Sequence, residues 1–164
     1  YVEAPVADAF IAALVKEVSA LSLNCDDPQA GQIGPVIAAS QVELVRGQLA
    51  DAQARGARAL TGGALVEQGG VWCPPTVLVD VDDSMAVVRD ESFASVLPVI
   101  VVNDEAEAIA RANATEFGLS AAVFSQDPAR AQRVARQLQA GGISINDACL
   151  TGMVQKKEKQ SFSF

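Results

Sequence analysis

The sequence predicts an α/β domain with a mostly parallel sheet and helices on both faces. Three observations carry that expectation. Val96–Val102, Ser120–Ser125 and Ile143–Asn146 are apolar or β-branched runs of strand length. Two stretches with helical periodicity, Asp104–Ala114 and Asp127–Ala140, lie between them. Strands alternating with helices at this spacing form β-α-β units, whose crossovers make neighbouring strands parallel.

The elements follow in order. Phe10, Leu14, Val18 and Leu21 recur at helical spacing, so Pro5–Leu21 reads as an amphipathic helix. Pro5 suits an early helical position and Asp8 the positive end of the dipole. Asn24–Pro35, rich in Asp, Pro and Gly, is a loop. Ser40-Gln41-Val42-Glu43 matches a capping box, so a second helix starts at Ser40 with Leu44, Leu49 and Ala52 on its apolar side. Gly56 stands where such a helix ends. Arg58–Leu60 is a short strand before the Gly62-Gly63 turn, Gly69–Pro75 another turn region, and Thr76–Val81 a β-branched strand. Val96–Val102 lacks polar alternation, as expected of a strand covered on both faces. On the helix 127–140 the inward residues are Ala131, Val134, Ala135 and Leu138, and Gly141-Gly142 ends it. No linker divides the chain, so residues 1–164 are expected to form one domain.

Composition narrows the function classes. Half of the 164 residues are apolar and a fifth charged, as in a globular core-forming chain. Twenty acidic against twelve basic residues give a net charge of −8, which argues against a nucleic-acid partner. The basic cluster Lys156-Lys157-Glu158-Lys159 is short and reads as a solvated face or tail. No apolar run approaches the roughly 18 residues of a membrane span, and no secretory leader is expected at Tyr1–Phe10. Cys25, Cys73 and Cys149 are odd in number and widely spaced, which suits a reducing cytoplasm. Histidine is absent, removing the Ser-His-Asp triad, the Cys-His pair and H-E-x-x-H zinc chemistry. No metal set is expected.

The segment Arg89-Asp90-Glu91-Ser92-Phe93 is the most informative short stretch. In extended backbone, residues two apart face the same side, so Glu91 and Phe93 can meet one ligand. A carboxylate accepts from sugar hydroxyls, and a ring packs on a flat heterocycle. The competing reading is an exposed Glu beside a core Phe. Asn146 and Cys149 follow the last strand, at the sheet edge where ligands gather in such folds. For Asn146 the alternative is a strand-end turn, for Cys149 a small buried residue, and Asn113 reads as a helix cap.

An opening strand and six motifs after it, in order, resemble the later part of an aldehyde dehydrogenase catalytic domain. Tyr1-Val2 resembles the strand that follows the family's catalytic cysteine. Ile33-Gly34-Pro35-Val36-Ile37 is similar to its I-G-P segment, and Gly56-Ala57-Arg58-Ala59-Leu60-Thr61-Gly62-Gly63 to its K-G-A-x-h-h-x-G-G stretch. Pro75-Thr76-Val77-Leu78 resembles P-T-V-L, and Glu91-Ser92-Phe93 the site E-x-F-G-P, with Ala94-Ser95 in place of Gly-Pro. Ala112-Asn113 through Ala121 resembles A-N-x-x-x-Y-G-L-S-A, and Gly142–Asn146 the strand G-x-h-x-I-N.

This resemblance implies an NAD- or NADP-dependent oxidation of an aldehyde to a carboxylic acid, through a cysteine thiohemiacetal and thioester. It implies cofactor-binding roles for Glu91 at the nicotinamide-side ribose and Phe93 near the nicotinamide. It places Asn146 and the stretch holding Cys149 at the aldehyde entrance. Ala94-Ser95 gives up the positive φ open to glycine and the fixed φ of proline, a departure at the cofactor turn. The family's catalytic cysteine, general-base glutamate and most of its nucleotide-binding domain are expected before Tyr1. Its oligomerisation strand is expected after Phe164. The chain thus reads as a cytoplasmic, homo-oligomeric enzyme's fragment, inactive alone, with no catalytic residue of its own. The alternative is a non-catalytic α/β small-molecule-binding or interaction module.

Overall fold

A computed structural model describes residues 1–27 and 29–147. Cys149 and the Lys156–Lys159 cluster lie outside them. The chain divides into two compact units, Tyr1–Val102 and the part from Asn103 onward.

The first unit holds β1 (Val2–Glu3), α1 (Ala4–Ser19), α2 (Ala39–Ala54), β2 (Arg58–Thr61), β3 (Val66–Glu67), β4 (Val71–Trp72), β5 (Thr76–Val79), α3 (Ala86–Arg89), β6 (Val96–Pro98) and β7 (Val101–Val102). β5 is the central strand, antiparallel to β2 and parallel to β6. All four of its residues are buried, and the three apolar ones divide between two cores. Leu78 joins Val45, Leu49 and Ala52 of α2 with Cys73, Met85 and Val87. Val77 and Val79 pack with Val99 against Ile11, Leu14, Val15 and Val18 of α1. Alternate side chains of one strand therefore serve opposite faces, each covered by a helix. That is the expected α/β layering. β1 pairs in parallel with β7, and β3 antiparallel with β4 as a small hairpin whose second strand falls inside Gly69–Pro75, expected to be a turn region.

Several expectations are corrected. α2 starts one residue before Ser40, and its N-cap is Ala38 with no side-chain bond. The capping box fails because Ser40 is already the second residue of the helix rather than its N-cap, and Glu43 lies 3.9 Å from Arg46. Leu44 and Phe10 are exposed; Val42, Val45, Leu49 and Ala52 form the inner apolar face of α2, and Ile11, Leu14, Val15 and Val18 that of α1. Asp8 is the fifth residue of α1, past the turn where the dipole field acts. Val96–Val102 is not one strand covered on both faces. Pro98 has no N–H to continue a ladder, the chain splits into β6 and β7, and Leu97 and Val101 are exposed.

Asp51 ties α2 to α3. Its carboxylate accepts from the Ala86 amide at 2.9 Å and from Arg55 Nε at 2.8 Å. The Ala86 amide first, and Arg55 with it, hold the Asp51 carboxyl below its ordinary range. A depressed folded-state pKa adds stability above the unfolded value, lost as pH falls through the folded one. Acid unfolding of Asp51→Asn should therefore lack this component: its stability deficit at neutral pH narrows as pH drops below about 4. Urea midpoints at pH 7 and pH 3 check it.

The second unit contains α4 (Glu105–Asn113), β8 (Ser120–Val123), α5 (Pro128–Ala135) and β9 (Gly142–Ile145). β8 and β9 are parallel in the register Ser120↔Gly142 to Val123↔Ile145, joined through α5 as the β-α-β reading expects. Asp104 caps α4 by accepting from Glu107 N, and Asp127 caps α5 by accepting from Ala129 N and Arg130 N. α5 is shorter than the expected 127–140 because its end tightens into i→i+3 bonds, Gln137 N to Val134 O and Leu138 N to Ala135 O. Ala131 is buried on its inner face. Arg130 Nε reaches Glu105 of α4 at 2.8 Å. Among the described residues no helix is long and apolar enough to cross a membrane.

Candidate functional site

The I-G-P segment and the E-x-F segment, far apart in sequence, meet in the first unit. They frame a cavity of about 320 Å³ lined by Gly34, Pro35, Val36, Ile37, Ala38, Gln41, Cys73, Phe93, Ala94 and Ser95. That volume is at the lower end of small-molecule sites, and the lining is mostly apolar as such sites are.

Each wall has a local cause. Val36 is pinned when its amide donates to Val71 O at 2.7 Å, leaving Ile37 97% exposed at the start of α2. On the opposite wall, Ser92 is held from two sides. Gln41 Nε2 donates to its carbonyl, and its hydroxyl donates to Gln48 Oε1 at 2.7 Å. Ser95 O accepts from Thr76 N at 2.8 Å, anchoring the far end of the turn to β5. Between these anchors Phe93 takes φ 43°, and its side is 82% exposed. The positive φ thus falls on Phe93 itself. Ala94 and Ser95 avoid it, so the absent glycine leaves no strain at its own position.

Cys73 forms part of the cavity wall. Burial pushes its thiol pKa up, against a smaller opposing pull from the Ser95 amide. A proline at 95 would lack that N–H. The thiol is therefore not poised as a nucleophile.

Of the residues expected at the cofactor, Phe93 lines the cavity. Glu91 is exposed and does not line it; among the described residues nothing donates to its carboxylate, which is left available to ligand hydroxyls. Phe93 is not extended, so the two do not share a face by strand alternation. An exposed ring beside a mostly apolar cavity, with an uncommitted carboxylate two residues away, fits a flat heterocycle bearing a sugar.

Asn146 belongs to the second unit, at φ 55°. Both ends of its amide are used: Oδ1 accepts from Ser125 N at 2.9 Å and Nδ2 donates to Ser125 O at 3.0 Å. It extends the β8–β9 pairing by one side-chain step. Asn113 is not a cap; its amide bonds Gln137 O and Gln139 N, fastening the end of α4 to the chain after α5. Cys149 lies outside the described residues. Sequence reasoning missed Gln41, Gln48 and Ser92. The signal for Gln48 was present: a polar residue at helical spacing from Val45 and Ala52, on the buried stripe.

Known proteins resemble the chain throughout. The family model described as "Aldehyde dehydrogenase family" matches residues 1–160. Betaine aldehyde dehydrogenase of Sinorhizobium fredii is 42% identical over 149 residues, covering 89% of this chain and 31% of the relative. Glutarate-semialdehyde dehydrogenase of Pseudomonas aeruginosa is 39% identical over 154 residues, covering 94% and 32%. A putative aldehyde dehydrogenase of Anabaena variabilis superposes with TM-score 0.91 at 42% identity, covering 93% of this chain and 33% of that one. Betaine aldehyde dehydrogenase of Staphylococcus aureus, solved in complex with NAD+, gives TM-score 0.80 at 34% identity, covering 88% and 30%. The chain spans about a third of the length of these relatives.

Proposed function

The chain belongs to the aldehyde dehydrogenase family, and from that premise we propose that it serves an NAD- or NADP-dependent enzyme oxidising an aldehyde to a carboxylic acid. Its own part is to hold the nicotinamide half of the cofactor. The observation that carries this reading is the meeting of the I-G-P and E-x-F segments at one cavity, with Phe93 exposed at its wall.

The chemistry a nicotinamide supplies when bound is acceptance of hydride, which turns a cysteine thiohemiacetal into a thioester that water hydrolyses to the acid. Glu91 accepts hydrogen bonds from the ribose hydroxyls, a charge-assisted contact. Phe93 packs against the ring and fixes its plane. Gly34–Ala38 provide the opposite apolar wall and keep water away. The attacking thiolate is not Cys73, whose burial favours the neutral thiol. Asn146 has both ends of its amide bonded to Ser125, which holds it as a strand-end turn residue.

In the complete polypeptide, Glu91→Gln should raise the cofactor KM about tenfold, the worth of one hydrogen bond to a charged acceptor. Alkylation of the reactive thiol should proceed at the parental rate. Unchanged KM and kcat would remove Glu91 from the site.

A further inference from the structure

Gln48 is 4% exposed on a helix face otherwise built from Val42, Val45, Leu49 and Ala52. Only half of its amide is used. Oε1 accepts from Ser92, whereas Nε2 is buried with no partner among the described residues. A stranded buried donor is destabilising, and a methionine of similar length would fill the site without one. Packing of α2 therefore gives no reason for a glutamine.

The reason lies across the gap. Gln41 stands seven residues earlier, two turns up the same side of α2. Together the two amides grip one residue, Gln41 at the Ser92 carbonyl and Gln48 at the Ser92 hydroxyl. The next residue, Phe93, sits in the left-handed region, which a bulky side chain occupies only when its surroundings impose it. Its exposed ring gains no burial that would offset the strain. The constraint must come from the backbone on either side. The Ser95 carbonyl is fixed by β5 on one side, and Ser92 by α2 on the other.

We propose that Gln48 is a positioning residue: through the Ser92 hydroxyl it imposes the turn that stands the Phe93 ring at the cavity wall. The use of that ring rests on the cofactor reading above; the placement of the ring does not.

The test uses the complete polypeptide with Gln48→Met, Ser92→Ala and the two combined. Amide hydrogen exchange over residues 91–95, without nucleotide, should speed up at least tenfold in all three. The double variant should be no faster than the faster single one. Ser92→Thr, which keeps the hydroxyl, should exchange like the parent. Gln48→Met should melt no lower than the parent, because it removes the stranded donor. The dissociation constant for NADH or NADPH, whichever binds tighter, should rise about fivefold in each clamp variant. Parental exchange over 91–95 in Ser92→Ala would overturn the proposal, as would additive effects in the double variant. Faster exchange with unchanged nucleotide binding, in these variants and in Glu91→Gln alike, would uphold the positioning role and sink the cofactor reading.

Discussion

Replacing Gly62 with alanine is expected to destabilise the chain by about 3 kcal/mol or more, through backbone strain and overpacking together. Gly62 has φ 59°, and a Cβ there would stand 2.3 Å from Thr76 Oγ1 and 2.9 Å from the carbonyl oxygens of both Pro74 and Pro75. None of these atoms can yield cheaply. Thr76 is 2% exposed at the head of β5, its hydroxyl donating to Pro74 O at 2.8 Å and accepting from Gly63 N at 3.0 Å. Two of the clashing atoms are backbone, fixed by a strand buried between both cores. At about 2–4 °C per kcal/mol for a chain of this size, the thermal midpoint falls by about 6–12 °C. Gly47→Ala is the matched control. It lies exposed in α2 with nothing within 4 Å of the added Cβ, so it should gain about 0.5–1 kcal/mol. Urea unfolding of the two variants side by side makes the comparison; a Gly62→Ala chain within 1 kcal/mol of the parent would refute the rigid turn.

What the sequence disclosed, and what it hid, divides by distance along the chain. The helix starts at Asp104 and Asp127 were legible, and so was the end of α2, where Gly56 follows at φ 98°, because each signal acts within one turn. The β-branched run at Thr76 and the β8-α5-β9 crossover were legible for the same reason: periodicity and length are local quantities. Gln41, an unassigned position within the expected capping box, reaches Ser92, 51 residues away. A turn residue at Asn146 would bond its own neighbourhood, yet its amide crosses to Ser125. Glu91 and Phe93 would share one face by an alternation that holds only in extended backbone, and Phe93 is not extended. The left-handed φ of Phe93 is imposed by α2 and β5, which the sequence of the turn does not contain. The motif segments meet at one cavity, and long-range contacts decide its shape.

At Phe93 the expected signs for stability and function are opposite. Glycine adopts φ 43° freely, which relieves about 1–2 kcal/mol of left-handed strain. The larger conformational freedom of glycine in the unfolded chain offsets roughly half of that. The lost ring is mostly exposed, so neither core is opened. Phe93→Gly should therefore be as stable as the parent or more so by up to about 1 kcal/mol. Cofactor affinity should fall about 10- to 100-fold, since burying an aromatic ring is worth about 1.5–3 kcal/mol. The turnover number should fall too, because without the ring the nicotinamide plane is free to tilt away from the geometry hydride transfer needs. Phe93→Leu, which restores bulk without a flat face, should recover only part of the affinity. Unfolding curves and nucleotide titrations on the same preparations separate the outcomes. A joint loss of stability and affinity would make Phe93 a folding residue, and full affinity in the glycine variant would place the nicotinamide against some other wall.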